Sequence, residues 1–100
     1  MDLRYIAELK SRIDDAHELK DSLGESYFVK IVYRGEGLFY CQDNRAFICD
    51  LSIDGGGFIG KKSIKKWDNR KKISDEEKEA IYLNIARFFR ETDKTEVSFV

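Results

Sequence analysis

The first twenty-three residues carry apolar side chains at a helical spacing. These side chains recur every three or four positions, at Leu3, Ile6, Leu9, Ile13, Ala16 and Leu19 or Leu23. Such spacing places them on one face of an amphipathic helix. Because Gly24 is a typical residue at a helix end, the pattern predicts a helix from Asp2 to about Leu23.

The middle of the chain alternates between apolar and polar residues. Three runs, "SYFVKIVYR" (26–34), "LFYCQ" (38–42) and "AFICDLSI" (46–53), are rich in β-branched and aromatic residues, which are typical of strands. Turn-forming residues separate them, "GEG" at 35–37 and the pair at 43–44. Connections this short cannot form parallel crossovers. The pattern therefore predicts an antiparallel meander.

The last third of the chain predicts a second helix and a closing strand. Ser74 and Glu77 have the spacing of a capping box, and acidic residues fill the first turn that follows. Ile81, Ile85 and Phe88 then continue as an apolar stripe. The final run "TEVSFV" (95–100) alternates like a strand.

These elements predict one α+β domain spanning residues 1–100. We expect an antiparallel meander sheet of four to five strands, covered by an N-terminal helix and a C-terminal helix, with a C-terminal strand closing the sheet. The other face of the sheet is expected to be at least partly exposed to water.

A glycine-rich stretch, "DGGGFIGKKS" (54–63), contains the spacing GxGxxG of dinucleotide-binding loops. A phosphate-binding loop needs a helix directly after it, but residues 61–72 contain only Ile64 and Trp67 as large apolar residues. We therefore interpret Asp54 and Gly55 as a hairpin turn and "FIG" (58–60) as a strand that pairs with residues 46–53. No cofactor is predicted.

Composition and charge favour a globular protein of the cytoplasm. Hydrophobic residues make up 42% of the chain, and its formal net charge is -1, so neither membranes nor nucleic acid should attract the chain as a whole. The N-terminal residues carry too many charges for a secretory signal or a membrane span. Cys41 and Cys49 are therefore expected to be reduced thiols.

The residue types that usually carry catalysis or bind metals are few. His17 is the only histidine, and with two cysteines eight positions apart it lacks the paired spacing of a zinc site. No local signature supports a cysteine hydrolase built from His17 and either thiol. The sequence therefore predicts neither an enzyme nor a metal site.

Two charged segments are candidate binding surfaces. On the predicted first helix, Asp14, Glu18 and Asp21 recur at i, i+4 and i+7 with Asp15 beside them, so they would form an acidic stripe away from most of the apolar face. A helix face that is merely solvated is the alternative.

The second segment is basic and contains the only tryptophan. Its members are Lys61, Lys62, Lys65, Lys66, Trp67, Arg70, Lys71 and Lys72. The cations could contact phosphates while the indole stacks on an exposed base. The whole-chain charge instead favours a solvated basic loop that Trp67 and Ile64 anchor to the core.

Residues 63–89, "SIKKWDNRKKISDEEKEAIYLNIARFF", resemble the C-terminal half of small immunity proteins from bacterial polymorphic-toxin and contact-dependent growth-inhibition systems. The resemblance covers about residues 58–100. It implies a non-enzymatic cytoplasmic protein that binds and blocks one cognate toxin domain. Trp67 and Asp68 would then belong to the scaffold, while the toxin-facing surface lies elsewhere.

The resemblance, together with the lack of a catalytic constellation, predicts an immunity protein acting by stoichiometric binding. Asp14, Asp15, Glu18 and Asp21 are its expected toxin-facing residues, because an acidic surface would suit the basic cleft of a nuclease. The alternative function is a small module that binds RNA or single-stranded DNA through residues 61–72.

Overall fold

The computed structural model describes residues 2–53 and 56–100, which form two helices and a six-stranded sheet. The helices are α1 (Leu3–Ser11) and α2 (Asp75–Thr92). The strands are β1 (His17–Lys20), β2 (Ser26–Val32), β3 (Gly37–Gln42), β4 (Arg45–Ser52), β5 (Phe58–Ile59) and β6 (Ser98–Phe99). The predicted turn at Asp54 and Gly55 lies outside the described residues.

The sheet follows the order of the chain, β1-β2-β3-β4-β5-β6. The first five strands pair antiparallel with their neighbours, so the predicted meander is confirmed. Strand β5 pairs with β4 through Leu51 opposite Ile59, as expected from the interpretation of "FIG". The closing strand is also confirmed, and β6 runs parallel to β5 because α2 lies in the connection between them.

The predicted long N-terminal helix is wrong beyond Ser11. Arg12 leaves the helical conformation (φ -118°, ψ 40°), residues 13–15 form a short 3₁₀ turn, and β1 follows. Two consecutive aspartates in that turn are poor helix formers. Leu19 is buried against the face of the sheet that α2 covers, whereas Ile13 packs on the α1 side. The apolar residues with helical spacing therefore serve two different cores, and β1 makes the sheet six-stranded rather than four- or five-stranded.

The sheet lies between the two helices, so both of its faces carry a core. Side chains from β2, β3 and β4 alternate between these cores, as strand geometry requires. The α2 side buries Leu19, Tyr27, Val29, Leu38, Tyr40, Phe47, Cys49, Leu51, Ile59, Ile64, Trp67, Ile73, Ile81, Ile85, Phe88 and Phe89. The smaller α1 side buries Ile6, Leu9, Val32, Phe39, Cys41 and Ala46. The expectation that both helices cover one face is therefore wrong.

Helix α2 is fixed to the sheet by polar as well as apolar contacts. The capping box is confirmed: the N–H of Glu77 donates to Ser74 Oγ (3.1 Å), and the N–H of Ser74 donates to Glu77 Oε1 (3.0 Å). The other carboxylate oxygen of Glu77 accepts a hydrogen bond from Arg45 (2.8 Å). Inside the core, the side-chain amide of Asn84 donates to the Tyr40 hydroxyl, and the backbone carbonyl of Asn84 accepts from the Tyr27 hydroxyl. These bonds set the position of α2 along the sheet.

The connection between β2 and β3 has a left-handed backbone. Tyr33, Arg34 and Gly35 have φ values of 53°, 55° and 95°, and residues other than glycine rarely adopt this conformation. The ring of Tyr33 lies over Gly37, where an added Cβ would come within 2.6 Å of it. It also packs on Tyr5, with ring centroids 5.4 Å apart. The aromatic contacts hold a strained turn.

We expect Arg34→Gly to stabilise the domain by up to about 1 kcal/mol, because glycine removes the left-handed strain at a side chain that makes no core contact. Urea denaturation measures the free energy of unfolding directly. Glu36→Gly is the matched control, since Glu36 has φ -98°. That change should be neutral or destabilising. Equal stabilisation by both variants would contradict a specific strain at Arg34.

Candidate interaction surfaces

Trp67 lies in the core rather than on the surface. Only 2% of it is exposed, and its ring packs on Phe47 and Tyr40 with centroid distances of 5.6 and 6.4 Å. The Arg45 guanidinium covers the indole at 4.3 Å from the ring centroid, a favourable cation–π contact. The stacking of Trp67 on a nucleic-acid base is therefore incompatible with its burial, and the indole acts as the predicted anchor of the basic segment.

Asp68, the next residue, joins three parts of the chain. Its N–H donates to the Ala46 carbonyl (2.8 Å), and its Oδ1 accepts from the Ala46 N–H (3.0 Å). Its other oxygen lies 2.8 Å from the Lys10 ammonium of α1, which also donates to the Asn44 carbonyl. Partial burial raises the pKa of the Asp68 carboxyl, but the bonds from Lys10 and Ala46 outweigh it, so the net pKa is lowered. The carboxylate is therefore ionised, and each of its two oxygens accepts a hydrogen bond.

Five of the seven basic residues around Trp67 lie on a small hairpin at 65–73, and Lys61 and Lys62 lie on the 3₁₀ turn before it. All seven side chains are exposed. The N–H of Ile73 donates to the Lys65 carbonyl (2.9 Å), and that of Trp67 donates to the Lys71 carbonyl (3.0 Å). Lys66 and Lys72 pair directly across it. We call residues 61–72 the basic hairpin. The structure brings its cations together on one ordered segment.

The four acidic candidates do not form a helical stripe, because no helix extends beyond Ser11. Asp14 and Asp15 are exposed on the 3₁₀ turn, Glu18 is on β1, and Asp21 directly follows that strand. We call these four residues the acidic edge, since β1 is the first strand of the sheet. They lie on β1 and on the turns before and after it, an arrangement that the helical wheel does not predict.

Two members of the acidic edge are hydrogen-bonded. The Ser26 hydroxyl donates to Glu18 (2.6 Å), and this bond and the nearby Lys20 lower the pKa of Glu18. Asp21 accepts from the backbone N–H groups of Glu25 and Leu23 (both 2.9 Å), which lower its pKa. Both carboxyls are therefore ionised at neutral pH. Asp14 and Asp15 make no ion pair within residues 2–53 and 56–100.

Two exposed leucines share a groove beside the acidic edge. Leu23 is 85% exposed in the turn after β1, and Leu83 is 69% exposed on α2. Both line a groove of about 260 Å³ together with Asp21, Arg87 and Arg90. Single exposed leucines are common on protein surfaces, but two leucines that share one groove rimmed by charges form a candidate interaction site. We call this the leucine groove.

A second groove lies on the α1 side of the sheet, next to the strained turn. It has a volume of about 480 Å³ and is lined by Asp2, Tyr33, Ile48, Asp50, Ser63, Lys65 and Lys66. Its walls carry two aspartates and two lysines, so the groove as a whole favours neither an anion nor a cation. Sequence patterns gave no signal for it, because its lining residues come from four separate segments.

The two thiols are buried in different cores, whereas the histidine is exposed. Cys41 is buried on the α1 side and Cys49 on the α2 side, and both are free. Burial raises the pKa of Cys41, and it raises the pKa of Cys49 to about 12, so both thiols stay protonated at neutral pH. His17 is exposed, with its ring 5.7 Å from that of Phe88. Within residues 2–53 and 56–100, no three His, Cys, Asp or Glu side chains form a group that could hold a metal ion.

Comparison with protein-family models, with curated proteins and with solved structures gave no significant match. Among the described residues, neither helix combines the length and the apolar character needed to cross a bilayer.

Proposed function

We propose that the protein neutralises a cognate toxin domain by stoichiometric protein–protein binding in the cytosol of the producing cell, as immunity proteins do. The supporting observation is the position of the Trp67–Asp68 pair, on which the resemblance depends. Trp67 packs in the core under α2, and Asp68 binds Lys10 of α1. These are framework contacts, and the resemblance implies a framework role for the same two residues. The binding surface is then to be found among the exposed residues.

The acidic edge is the surface that best suits a basic toxin. Its carboxylates lie on the first strand of the sheet and on the turns that flank it, and the pKa values of Glu18 and Asp21 are lowered, so both are ionised at neutral pH. A toxin that acts on nucleic acid presents a basic cleft to its substrate. Complementary charge of this kind speeds association and orients the partners.

The leucine groove supplies the apolar contact that charge alone cannot provide. Interfaces draw most of their affinity from a few buried anchors, and rim charges act mainly on the association rate. Leu23 and Leu83 lie beside Asp21 in one groove, so a single partner can cover both the acidic edge and the leucines. The occupant that we propose is a basic toxin surface that inserts one apolar side chain, with a carboxylate facing Arg87 and Arg90.

Co-expression with the toxin domain that is encoded immediately upstream tests the proposal. Cells that produce both proteins should grow, and the two chains should elute as a one-to-one complex. Dying cells together with separate elution of the two chains would contradict the proposed function.

We expect the double variant Asp14→Lys/Asp15→Lys to slow toxin association by about tenfold at low ionic strength, with little change in the dissociation rate. These two residues make no ion pair within the described chain, so the fold should be unaffected. The difference from wild type should shrink as salt screens the charges. Stopped-flow or surface-based kinetics over a salt series provide the measurement.

Two control variants distinguish electrostatic steering of toxin association from direct contact in the complex. Asp93→Lys/Glu96→Lys changes the net charge equally at exposed positions outside the acidic edge, and it should leave the association rate close to that of wild type. Leu83→Ala should instead raise the dissociation rate, since it removes an apolar anchor. If both charge-reversal pairs slow association equally, the acidic edge is not the docking surface.

A further inference from the structure

The basic hairpin concentrates positive charge, and within the described residues the only charge contact of its cations is that of Lys61, whose ammonium lies 5.6 Å from the centroid of the Tyr82 ring. Its seven cationic side chains, Lys61, Lys62, Lys65, Lys66, Arg70, Lys71 and Lys72, are exposed. Within residues 2–53 and 56–100, none of them forms an ion pair, and the four ion pairs present involve other cations. Solvation alone explains scattered lysines, but five of these cations lie on one hydrogen-bonded hairpin between Lys65 and Ile73.

Three buried anchors and a backbone ladder hold the hairpin. Ile64, Trp67 and Ile73 are each no more than 2% exposed, and the hydrogen bonds from Trp67 and Ile73 close the hairpin. Lys66 and Lys72 are thereby held directly opposite each other. Like charges at directly opposed positions repel and destabilise the pairing. An anion bound between them would remove that repulsion.

The nearest acid on the hairpin does not neutralise this charge. Asp68 lies at its turn, but its carboxylate is committed to Lys10 and to Ala46. Asp2 and Asp50 line the groove that Lys65 and Lys66 share, and Asp75 and Glu79 line the groove that Lys61 and Lys62 share. Lys72 and the hairpin turn line neither of these two grooves, so the anion-binding face is expected to extend from the Lys66–Lys72 pair toward the turn.

Glu18, a member of the acidic edge, is too far from the hairpin to neutralise its positive charge. The sheet register leads from Glu18 to Ala46 in three steps between neighbouring strands. Glu18 on β1 lies opposite Phe28 on β2, Phe28 lies opposite Cys41 on β3, and Cys41 lies opposite Ala46 on β4. Ala46 is the residue to which the hairpin is bonded. Three strand spacings amount to about 14 Å, which exceeds the Debye length of about 8 Å at physiological ionic strength. Glu18 therefore does not neutralise the hairpin, despite the net charge of -1.

The kinds of residue present favour phosphate over an acidic protein. Six of the seven cations are lysines, which are depleted in protein–protein interfaces but form point-charge contacts with phosphates. The one aromatic residue of the hairpin is buried, so no base can stack on it. We propose that the basic hairpin binds the phosphate backbone of nucleic acid without reading its bases. Because a duplex carries a higher density of phosphates, it should bind at least as well as a single strand.

Fluorescence anisotropy with a labelled duplex of about 20 base pairs tests the proposal on the full chain, at salt concentrations from about 50 to 200 mM. Binding should weaken steeply with salt. Lys66→Gln/Lys72→Gln removes two phosphate contacts and should lower the slope of log K against log salt by about 1.8. Its melting temperature should not fall, because the repulsion between the two lysines is removed.

The matched control is Lys30→Gln/Lys94→Gln, which changes the net charge equally outside the hairpin and should leave the slope unchanged. Several outcomes would overturn the proposal: no binding at about 50 mM salt, equal loss in both double variants, or binding to single strands alone with quenching of Trp67 fluorescence. Tighter binding of polyglutamate or of anionic vesicles than of the duplex would overturn it as well. This inference does not depend on toxin neutralisation, since the two tests use different residues.

Discussion

Replacing Trp67 with alanine should destabilise the domain by about 3–5 kcal/mol, or prevent folding altogether. The indole is 2% exposed and packs on Tyr40 and Phe47, so truncation leaves a cavity in the core and removes the base under the Arg45 guanidinium. It also frees the basic hairpin from its central anchor. Urea denaturation, followed by circular dichroism so that the signal does not depend on tryptophan, measures the loss.

Trp67→Phe is the informative companion variant. Within the described residues, Trp67 Nε1 has no hydrogen-bond acceptor, so phenylalanine loses volume but no polar contact. We therefore expect Trp67→Phe to retain the fold and most of its stability. A Trp67→Ala variant as stable as wild type would place the indole outside the core and would restore its role as a base-stacking residue.

Replacing Asp68 with alanine should destabilise the domain by about 2 kcal/mol at neutral pH. The change breaks the bond to the Ala46 N–H and leaves the Lys10 ammonium, only 22% exposed, without its carboxylate. Lys10→Met tests the same contact from its other side. A double-mutant cycle of the two variants should give a coupling free energy above the value of a surface pair, about 0–1 kcal/mol.

The Asp68 contact also predicts how stability changes in acid. The pKa of Asp68 is lowered from its ordinary value of 3.8, so the unfolded chain takes up a proton before the folded chain does. The stabilisation is present above the ordinary pKa and is lost as the pH falls through the lower folded pKa. Asp68→Asn should lose this part of the acid dependence, and it retains an oxygen that can accept from the Ala46 N–H. Parallel acid profiles for wild type and Asp68→Asn would show that the carboxylate does not contribute in this way.

Elements with local signals were predictable from the sequence. Helix α2 has a capping box at Ser74 and an apolar stripe, and β2 to β4 have a two-residue alternation with turn residues between them. In each case the information that specifies the element lies within it. The basic hairpin was also predictable as an anchored loop, because Ile64 and Trp67 are its only large apolar residues before Ile73.

The first twenty-three residues show where such reasoning fails. Ile13 and Leu19 satisfy a helical spacing, but they pack in different cores on opposite faces of the sheet. The local spacing does not show that residues 17–20 form a strand, because β1 forms by pairing with β2, a separate part of the chain. The helical spacing therefore places the four acidic residues on a helix, whereas they lie on β1 and on the turns that flank it.

Contacts between distant parts of the chain gave no sequence signal. Lys10 and Asp68 are 58 positions apart, and their pairing depends on how α1 crosses the sheet. The leucine groove likewise combines the turn after β1 with α2. The strained turn was located by "GEG", yet the left-handed conformation of Tyr33 and Arg34 has no signature in residue type, because neither residue favours it.

Titration of the purified toxin domain with this protein tests the central claim most directly. If the protein acts by stoichiometric binding, toxin activity should fall linearly and vanish at a one-to-one molar ratio, and native mass spectrometry should show the complex at the same point. Complete inactivation at a small fraction of that ratio, with no complex, would indicate an enzyme acting on the toxin and would contradict the account. Full toxin activity at molar excess would contradict it equally.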